Sequence, residues 1–276
     1  MKSILLAFSM FSALPMPRVE WNEKNMRFMM CAFPLVGATI TLLYVLSFLF
    51  WIQCAYFWQK PVPIYLPALV FTLIPVLITG GIHVDGFMDT CDALASHASR
   101  EKKLEILKDS HSGAFAVLGC VIYFLSYFVF SLAVSDYFFN PDNSYSHGRF
   151  VNFFALFMRF FPMTLIFILS RLLSAFAVAV FPIAKDSGLV HTFASASSKK
   201  FTYIWCASCF IIISVLLVLF FWEAGIVSVL SCLSVFVFYF FVSKRNFGGI
   251  TGDTAGWFVQ LCEIVTLALS VVFLFL

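Results

Sequence analysis

The chain predicts an all-α, polytopic integral membrane bundle of about seven transmembrane helices with a short N-terminal interfacial segment. Three observations carry that prediction. Hydrophobic residues make up 62% of the 276 and charged residues only 11%, with 37 Phe; a soluble domain carries about 25% charged residues. Apolar runs near the ~20 residues that cross a bilayer recur from end to end. Lys and Arg gather in alternate connecting segments, the mark of a multi-pass protein with a fixed orientation.

The first dozen residues are apolar but too short to cross. Lys2 followed by I-L-L-A-F-S-M-F-S-A-L-P imitates a signal peptide, yet a small-residue cleavage site is poorly formed and Pro15 and Pro17 follow at once. This segment is expected to remain, lying in the interface or re-entering it. Hydropathy then places seven spans at 28–51, 63–79, 114–134, 150–181, 202–222, 226–243 and 255–276. The fourth is long enough to tilt or break, with Pro162 as its kink. No repeat or low-complexity linker divides the chain, so 1–276 reads as one domain. The eight Cys lie mostly in apolar sequence and read as small buried hydrophobes, not as a disulfide framework or zinc site. A net charge of +3 is too small to argue for nucleic acid.

Connecting segments 14–27, 80–112, 182–201 and 244–254 hold twelve Lys and Arg, against only Lys60 and Arg149 in 52–62, 135–149 and 223–225. Seven spans put all four basic segments on one side, which the positive-inside rule makes cytoplasmic. A bacterial cytoplasmic (inner) membrane protein with its polar islands facing the cytoplasm is the expectation.

Two polar islands interrupt the apolar sequence. The first, T-G-G-I-H-V-D-G-F-M-D-T-C-D (79–92), holds Asp85, Asp89 and Asp92 at i, i+4, i+7. On a helix these three carboxylates share one face. Like charges side by side repel unless a cation sits between them, and Mg²⁺, which prefers oxygen, suits the set. Gly80, Gly81 and Gly86 allow close backbone approach, and His83 precedes the first aspartate. Beyond Ala95 an amphipathic surface helix is expected, with Leu104, Ile106 and Leu107 inward, closing on Lys108, Asp109, Ser110 and Gly113. The second island, G-G-I-T-G-D-T (248–254), sets Asp253 among Thr251, Gly252 and Thr254 before the last span; such a turn at a helix N-terminus receives phosphate. Cations around an acidic metal site suggest an anionic substrate such as a diphosphate.

Plainer readings compete. The aspartates would otherwise be a solvated face, although Val84, Phe87 and Met88 make their helix amphipathic. His83 would be a hydrogen-bonded structural residue, and His97, His147 and His191 surface residues. Arg159 either snorkels or pairs within the bundle. Arg171 either reaches the site or anchors at the interface.

These motifs together resemble the cobalamin synthase family, the adenosylcobinamide-GDP ribazoletransferases, over nearly the whole chain. The resemblance is strongest in 79–94 and in L-E-I-L-K-D-S-H-S-G-A-F (104–115). It continues in L-P-M-P (14–17), F-P-L-V-G (33–37), S-R (170–171) and G-G-I-T-G-D-T-A-G (248–256). It implies a phosphoryl transfer in which a hydroxyl of α-ribazole, or of its 5′-phosphate, attacks the diphosphate of adenosylcobinamide-GDP and GMP leaves, with Mg²⁺ as cofactor. Under it, Asp85, Asp89 and Asp92 hold the metal. Lys108, Ser110, Arg171, Thr251, Gly252, Asp253, Thr254 and Glu263 bind substrate. His83 or Asp109 takes the proton. A homo-oligomer and other enzymes of the cobamide pathway are the expected protein partners.

The chain departs from the family pattern at His111 and Ala13, where Arg is usual, at Ala93, where Gly is usual, and at Trp257 and Gln260, in place of a small residue and Glu. A CDP-alcohol phosphotransferase or a prenyltransferase is the alternative enzyme class. The first would show Arg in a D-G-x-x-A-R run, and the second a further Asp pair. A cation carrier would place ionisable groups at mid-membrane on several spans.

Overall fold

The computed structural model describes residues 1–58, 61–140, 153–185 and 188–275. Lys60, His147 and Arg149 lie outside the described residues, as does most of the expected 135–149 loop. Fourteen helices follow in order among the described residues. They are α1 (Lys2–Phe11), α2 (Glu23–Met26), α3 (Met29–Ala32), α4 (Pro34–Trp58), α5 (Tyr65–Thr79), α6 (Ile82–Ala95) and α7 (Arg100–Ile106). After them come α8 (Ala114–Phe139), α9 (Phe153–Thr164), α10 (Ile166–Val180), α11 (Leu189–Ala196), α12 (Lys199–Phe220), α13 (Trp222–Phe247) and α14 (Gly252–Leu274). The only extended pairing among the described residues is a bridge between Ile183 and Ile250.

Six helical stretches are long and apolar enough to cross a membrane: Pro34–Ala55, Ala114–Phe139, Leu156–Val180, Lys199–Phe220, Trp222–Phe247 and Gly252–Leu274. The protein is therefore a multi-span helical membrane protein. On α8, Leu118, Ile122, Leu125 and Val129 are all exposed. Their i, i+4, i+7, i+11 spacing makes one aliphatic stripe, a face that suits lipid and not water.

The second expected span is not a straight crossing. α5 has 15 residues, about 22 Å at 1.5 Å per residue, short of a ~30 Å hydrocarbon layer. It is followed by α6 at a bend of 92°, and only the two together amount to a seventh span. The bend is local chemistry. Gly80 (φ 61°) and Gly81 (φ 79°) both adopt the left-handed conformation, which glycine reaches without a Cβ penalty. α6 then runs past the starts of α14 and α8.

Both internal prolines are accommodated. Pro75 lacks an N–H, so the Phe71 carbonyl four residues earlier has no helical donor; the Tyr44 hydroxyl donates to it instead and also bonds Tyr127. Pro162 precedes the break between α9 and α10 at Leu165. There Thr41 donates to the Thr164 carbonyl at 2.7 Å. Arg159 pairs within the bundle: its guanidinium donates to the Tyr137 hydroxyl. All eight cysteines are free thiols.

α7 lies as expected, with Leu107 buried and Leu104 and Ile106 half-buried. Ser99 caps its N-terminus by accepting from the Lys102 N–H. Lys103 is buried and donates to Asn246 Oδ1 at 2.7 Å, fixing α7 to the end of α13.

Candidate functional site: an acidic cluster between two cavities

Two glycines set the geometry. A Cβ on Gly86 would stand 2.8 Å from the Asp253 backbone, and one on Gly256 would stand 3.1 Å from the His83 carbonyl oxygen. The first leaves no room for a side chain and the second is tight, so α6 and the first turn of α14 meet backbone to backbone. That contact brings Asp253 to the face carrying Asp85, Asp89 and Asp92. At the far end of α6, the Asp92 carboxylate lies against Gly113, where a Cβ would not fit.

Asp85 is exposed, and Asp89, Asp92 and Asp253 are half-buried. Burial first, then Asp85, Asp253 and Asp92, push the Asp89 carboxyl up to about 6. None of the four carboxylates forms an ion pair among the described residues; the pairs there are Lys102–Glu105, Asp109–His111 and Arg171–Glu263. No group of three His, Cys, Asp or Glu side chains among the described residues is disposed to hold a metal ion. Mg²⁺ needs less: one or two carboxylates, with phosphate and water oxygens completing its shell. An all-oxygen donor set with unbalanced charge fits it.

The second island is built around α14's N-terminus. Thr251 and Thr254 form a reciprocal capping box, with the Thr254 N–H donating to Thr251 Oγ1 at 3.2 Å and the Thr251 N–H to Thr254 Oγ1 at 2.9 Å. Asp253 sits in the first turn, where the helix dipole favours negative charge. The two threonine hydroxyls, expected to meet substrate, are engaged in this cap, and Thr254 is fully buried. Gly249 packs where any Cβ would strike Pro182, Ile183 and Ala184. The Ile250 N–H donates to Pro182 at 2.8 Å and the Ala184 N–H to Ile250 at 3.0 Å. This short zipper delivers Lys185 to the site, its Nζ donating to the Leu104 carbonyl at 2.7 Å.

Two cavities share Asp253, Gly252, Leu189 and Val190. One, of about 190 Å³, is lined by Lys108, Lys185 and Thr251. The other, of about 260 Å³, is walled by Phe11, Phe33 and Phe193 and also touched by His83, Asp85 and Ser174. His83 is buried and its Nδ1 has no hydrogen-bond partner. Burial, then the Arg171 charge, hold its pKa well below the ordinary value, so the ring is neutral.

The structure does not bring every expected residue here. Arg171 and Glu263 are both fully buried and pair with each other, NH1 to Oε1 at 2.6 Å. Arg171 also donates to the Phe167 carbonyl at 2.9 Å. Neither lines the two cavities: they pair with each other inside the bundle, where Arg171 Nε and Nη2 and Glu263 Oε2 make no hydrogen bond. Asp109 and Ser110 lie on the exposed loop after α7. There Asp109 accepts from the His111 N–H at 3.0 Å and its ring Nδ1 at 2.8 Å; these two bonds lower its pKa. Lys185, Ser174 and Phe11 were not singled out from the sequence. Lys185 carried only the signal of a basic connecting segment, and the other two carried none.

A family model described as cobalamin-5-phosphate synthase matches residues 3–271. An adenosylcobinamide-GDP ribazoletransferase of Lachnoclostridium phytofermentans is 37% identical, covering 96% of this chain and 91% of its own. One of Clostridium botulinum strain Alaska E43 is 30% identical over 96% of this chain and 95% of its own. One of Fusobacterium nucleatum is 29% identical over 99% and 98%. No solved structure matches. With nearly its whole length covered by the family model and by relatives of one description, the chain belongs to the cobalamin-5-phosphate synthase family.

Proposed function

We propose that this protein is a membrane transferase that joins adenosylcobinamide-GDP to α-ribazole, or to its 5′-phosphate, releasing GMP. The observation that carries the reading is the gathering of four uncompensated carboxylates, on two helices in backbone contact, beside a cavity bearing Lys108 and Lys185. Phosphoryl transfer between oxygens asks the protein mainly for positioning and charge stabilisation.

One or two of Asp85, Asp89, Asp92 and Asp253 would hold Mg²⁺, which would supply charge neutralisation on the diphosphate. Lys108 and Lys185 hold diphosphate oxygens from the other side. The ribazole hydroxyl oxygen forms a bond to the phosphorus next to the cobinamide, the bridging P–O bond breaks, and GMP departs with the bridging oxygen. Neutral His83, at the wall of the larger cavity, receives the hydroxyl proton. Asp109, held by His111, stays outside the proton transfer. Arg171 and Glu263 position α10 against α14 and touch no substrate.

We further propose that the site faces the cytoplasm of a bacterium, through the inner membrane. The excess of Lys and Arg in the segments around it supports this orientation. Cysteines placed at 102 and 199 should be labelled by a membrane-impermeant maleimide only from the cytoplasm, and one at 223 only from outside. Labelling of 102 and 223 from the same side would end the orientation. The function is tested with purified protein in liposomes, adenosylcobinamide-GDP and α-ribazole, following GMP with and without Mg²⁺. Absence of GMP release with both substrates and Mg²⁺ present would refute it.

A further inference from the structure

The larger cavity has the chemistry of an apolar aromatic guest, and its volume of about 260 Å³ is at the small end of ligand sites. Phe11 and Phe33 meet with ring centroids 4.3 Å apart, Phe11 and Phe193 at 5.9 Å, and the His83 ring lies nearly parallel to Phe33 at 5.7 Å. Aromatic faces of this kind hold flat rings by stacking. Ser174, on α10, is buried in the lining and makes no side-chain hydrogen bond among the described residues. Its hydroxyl opens on the cavity, as donor and acceptor, and is available to a guest.

We infer that this cavity is the seat of the nucleoside substrate's base, a bicyclic apolar ring such as the benzimidazole of α-ribazole, with Ser174 donating to its one free ring nitrogen. The inference rests on the proposed function and names the subsite that selects the base. Two other guests fit less well. Guanine presents donors and acceptors around most of its edge, which phenylalanine walls would leave unpaired. A corrin macrocycle is several times too large. Asp85 and Asp253 border the same cavity, so a base seated there carries its sugar toward the acidic cluster, where the attacking hydroxyl belongs.

The test is equilibrium dialysis of radiolabelled α-ribazole against the full-length protein in detergent with EDTA, so that binding is read without turnover. Wild type should bind near one equivalent. Val178→Phe, which fills the cavity from α10, should weaken α-ribazole by about tenfold or more, as overfilled apolar sites do. Ser174→Ala should weaken it by about three- to tenfold, the loss of one hydrogen bond. Ser174→Ala should leave an indole riboside, whose ring has C–H in place of the free nitrogen, unaffected. Adenosylcobinamide-GDP binding should stay within about twofold in both variants, the range of a substitution away from the affected contacts; this doubles as the folding control. No α-ribazole binding to wild type overturns the inference. So does a Val178→Phe effect on adenosylcobinamide-GDP instead, which would assign the cavity to guanine. Unchanged α-ribazole binding in both variants also overturns it, leaving the cavity to lipid. GMP release by the wild type judges the proposed function separately from all of these arms.

Discussion

Two sets of charge stand within one bundle and are treated in opposite ways. Glu263, fully buried, has its charge matched by Arg171 at 2.6 Å. Asp85, Asp89, Asp92 and Asp253 crowd one another with no cation among the described side chains paired to them. The first arrangement matches one charge with another between α10 and α14. The second is the set that the proposed Mg²⁺ would complete. Under the proposed function, the carboxylates that do the chemistry are those with no partner among the described side chains.

The comparison breaks most readily at the matched pair. Arg171→Met strands a buried carboxylate, and losing one partner of such a pair costs about 3–5 kcal/mol. Thermal denaturation in detergent should show a large loss, and adding Glu263→Gln should recover much of it. A single variant as stable as wild type would mean that the pair does not hold the bundle.

Asp89→Asn should do the reverse. It relieves repulsion, so stability should hold or rise, while transfer falls by about a hundredfold or more if Mg²⁺ supplies several kcal/mol to the transition state. Full activity at low Mg²⁺ would remove Asp89 from the site.

The pH dependence sharpens the contrast. Without a cation, Asp89 titrates near 6 in the folded protein against an ordinary 3.8. Its folded-state pKa is raised, so the folded state binds more protons across that window, and stability contributed by this group is lost as pH rises through it. In EDTA the melting temperature should fall from pH 5 to pH 7.5 relative to Asp89→Asn. Saturating Mg²⁺ should restore it at pH 7.5, and Mg²⁺ affinity should weaken below pH 6 because protonated carboxyls do not ligate. Matching pH profiles for wild type and Asp89→Asn would sink this account.

The smallest effect is expected at His111, where the family pattern has Arg. Its side chain is 91% exposed and pairs only with its neighbour Asp109. His111→Arg should change KM for the nucleotide by less than about twofold, the scale of an unconstrained surface site, at every pH. A flattened pH dependence of KM in the variant would return His111 to the substrate.

Both polar islands were legible from sequence because charge and glycine stand out against apolar residues, and helical spacing alone put three aspartates on one face. Pro162 announced its break for the same reason. The right-angle turn at Gly80 and Gly81 was hidden, since hydropathy registers apolarity and not direction, and 63–79 is apolar enough to pass for a full crossing. Spacing says nothing about pairs 92 residues apart, so the sequence hides the ion pair of Arg171 and Glu263. Lys185 arrived through a backbone zipper between 182–184 and 250, where nothing in the side chains advertises the contact. Ser174 became interesting only once three phenylalanines from distant segments closed around it.

The backbone contact between Gly86 and Asp253 also fixes a chronology. Chains are made and inserted from the N-terminus, so α6 is in place long before α14 exists. Through that interval its three aspartates have neither Asp253 nor the second cavity wall. α14 completes the acidic cluster, and it does so through a closure spanning more than half the chain. Any product that stalls before residue 252 thus has most of the helices and lacks both Asp253 and the backbone contact that brings it to α6.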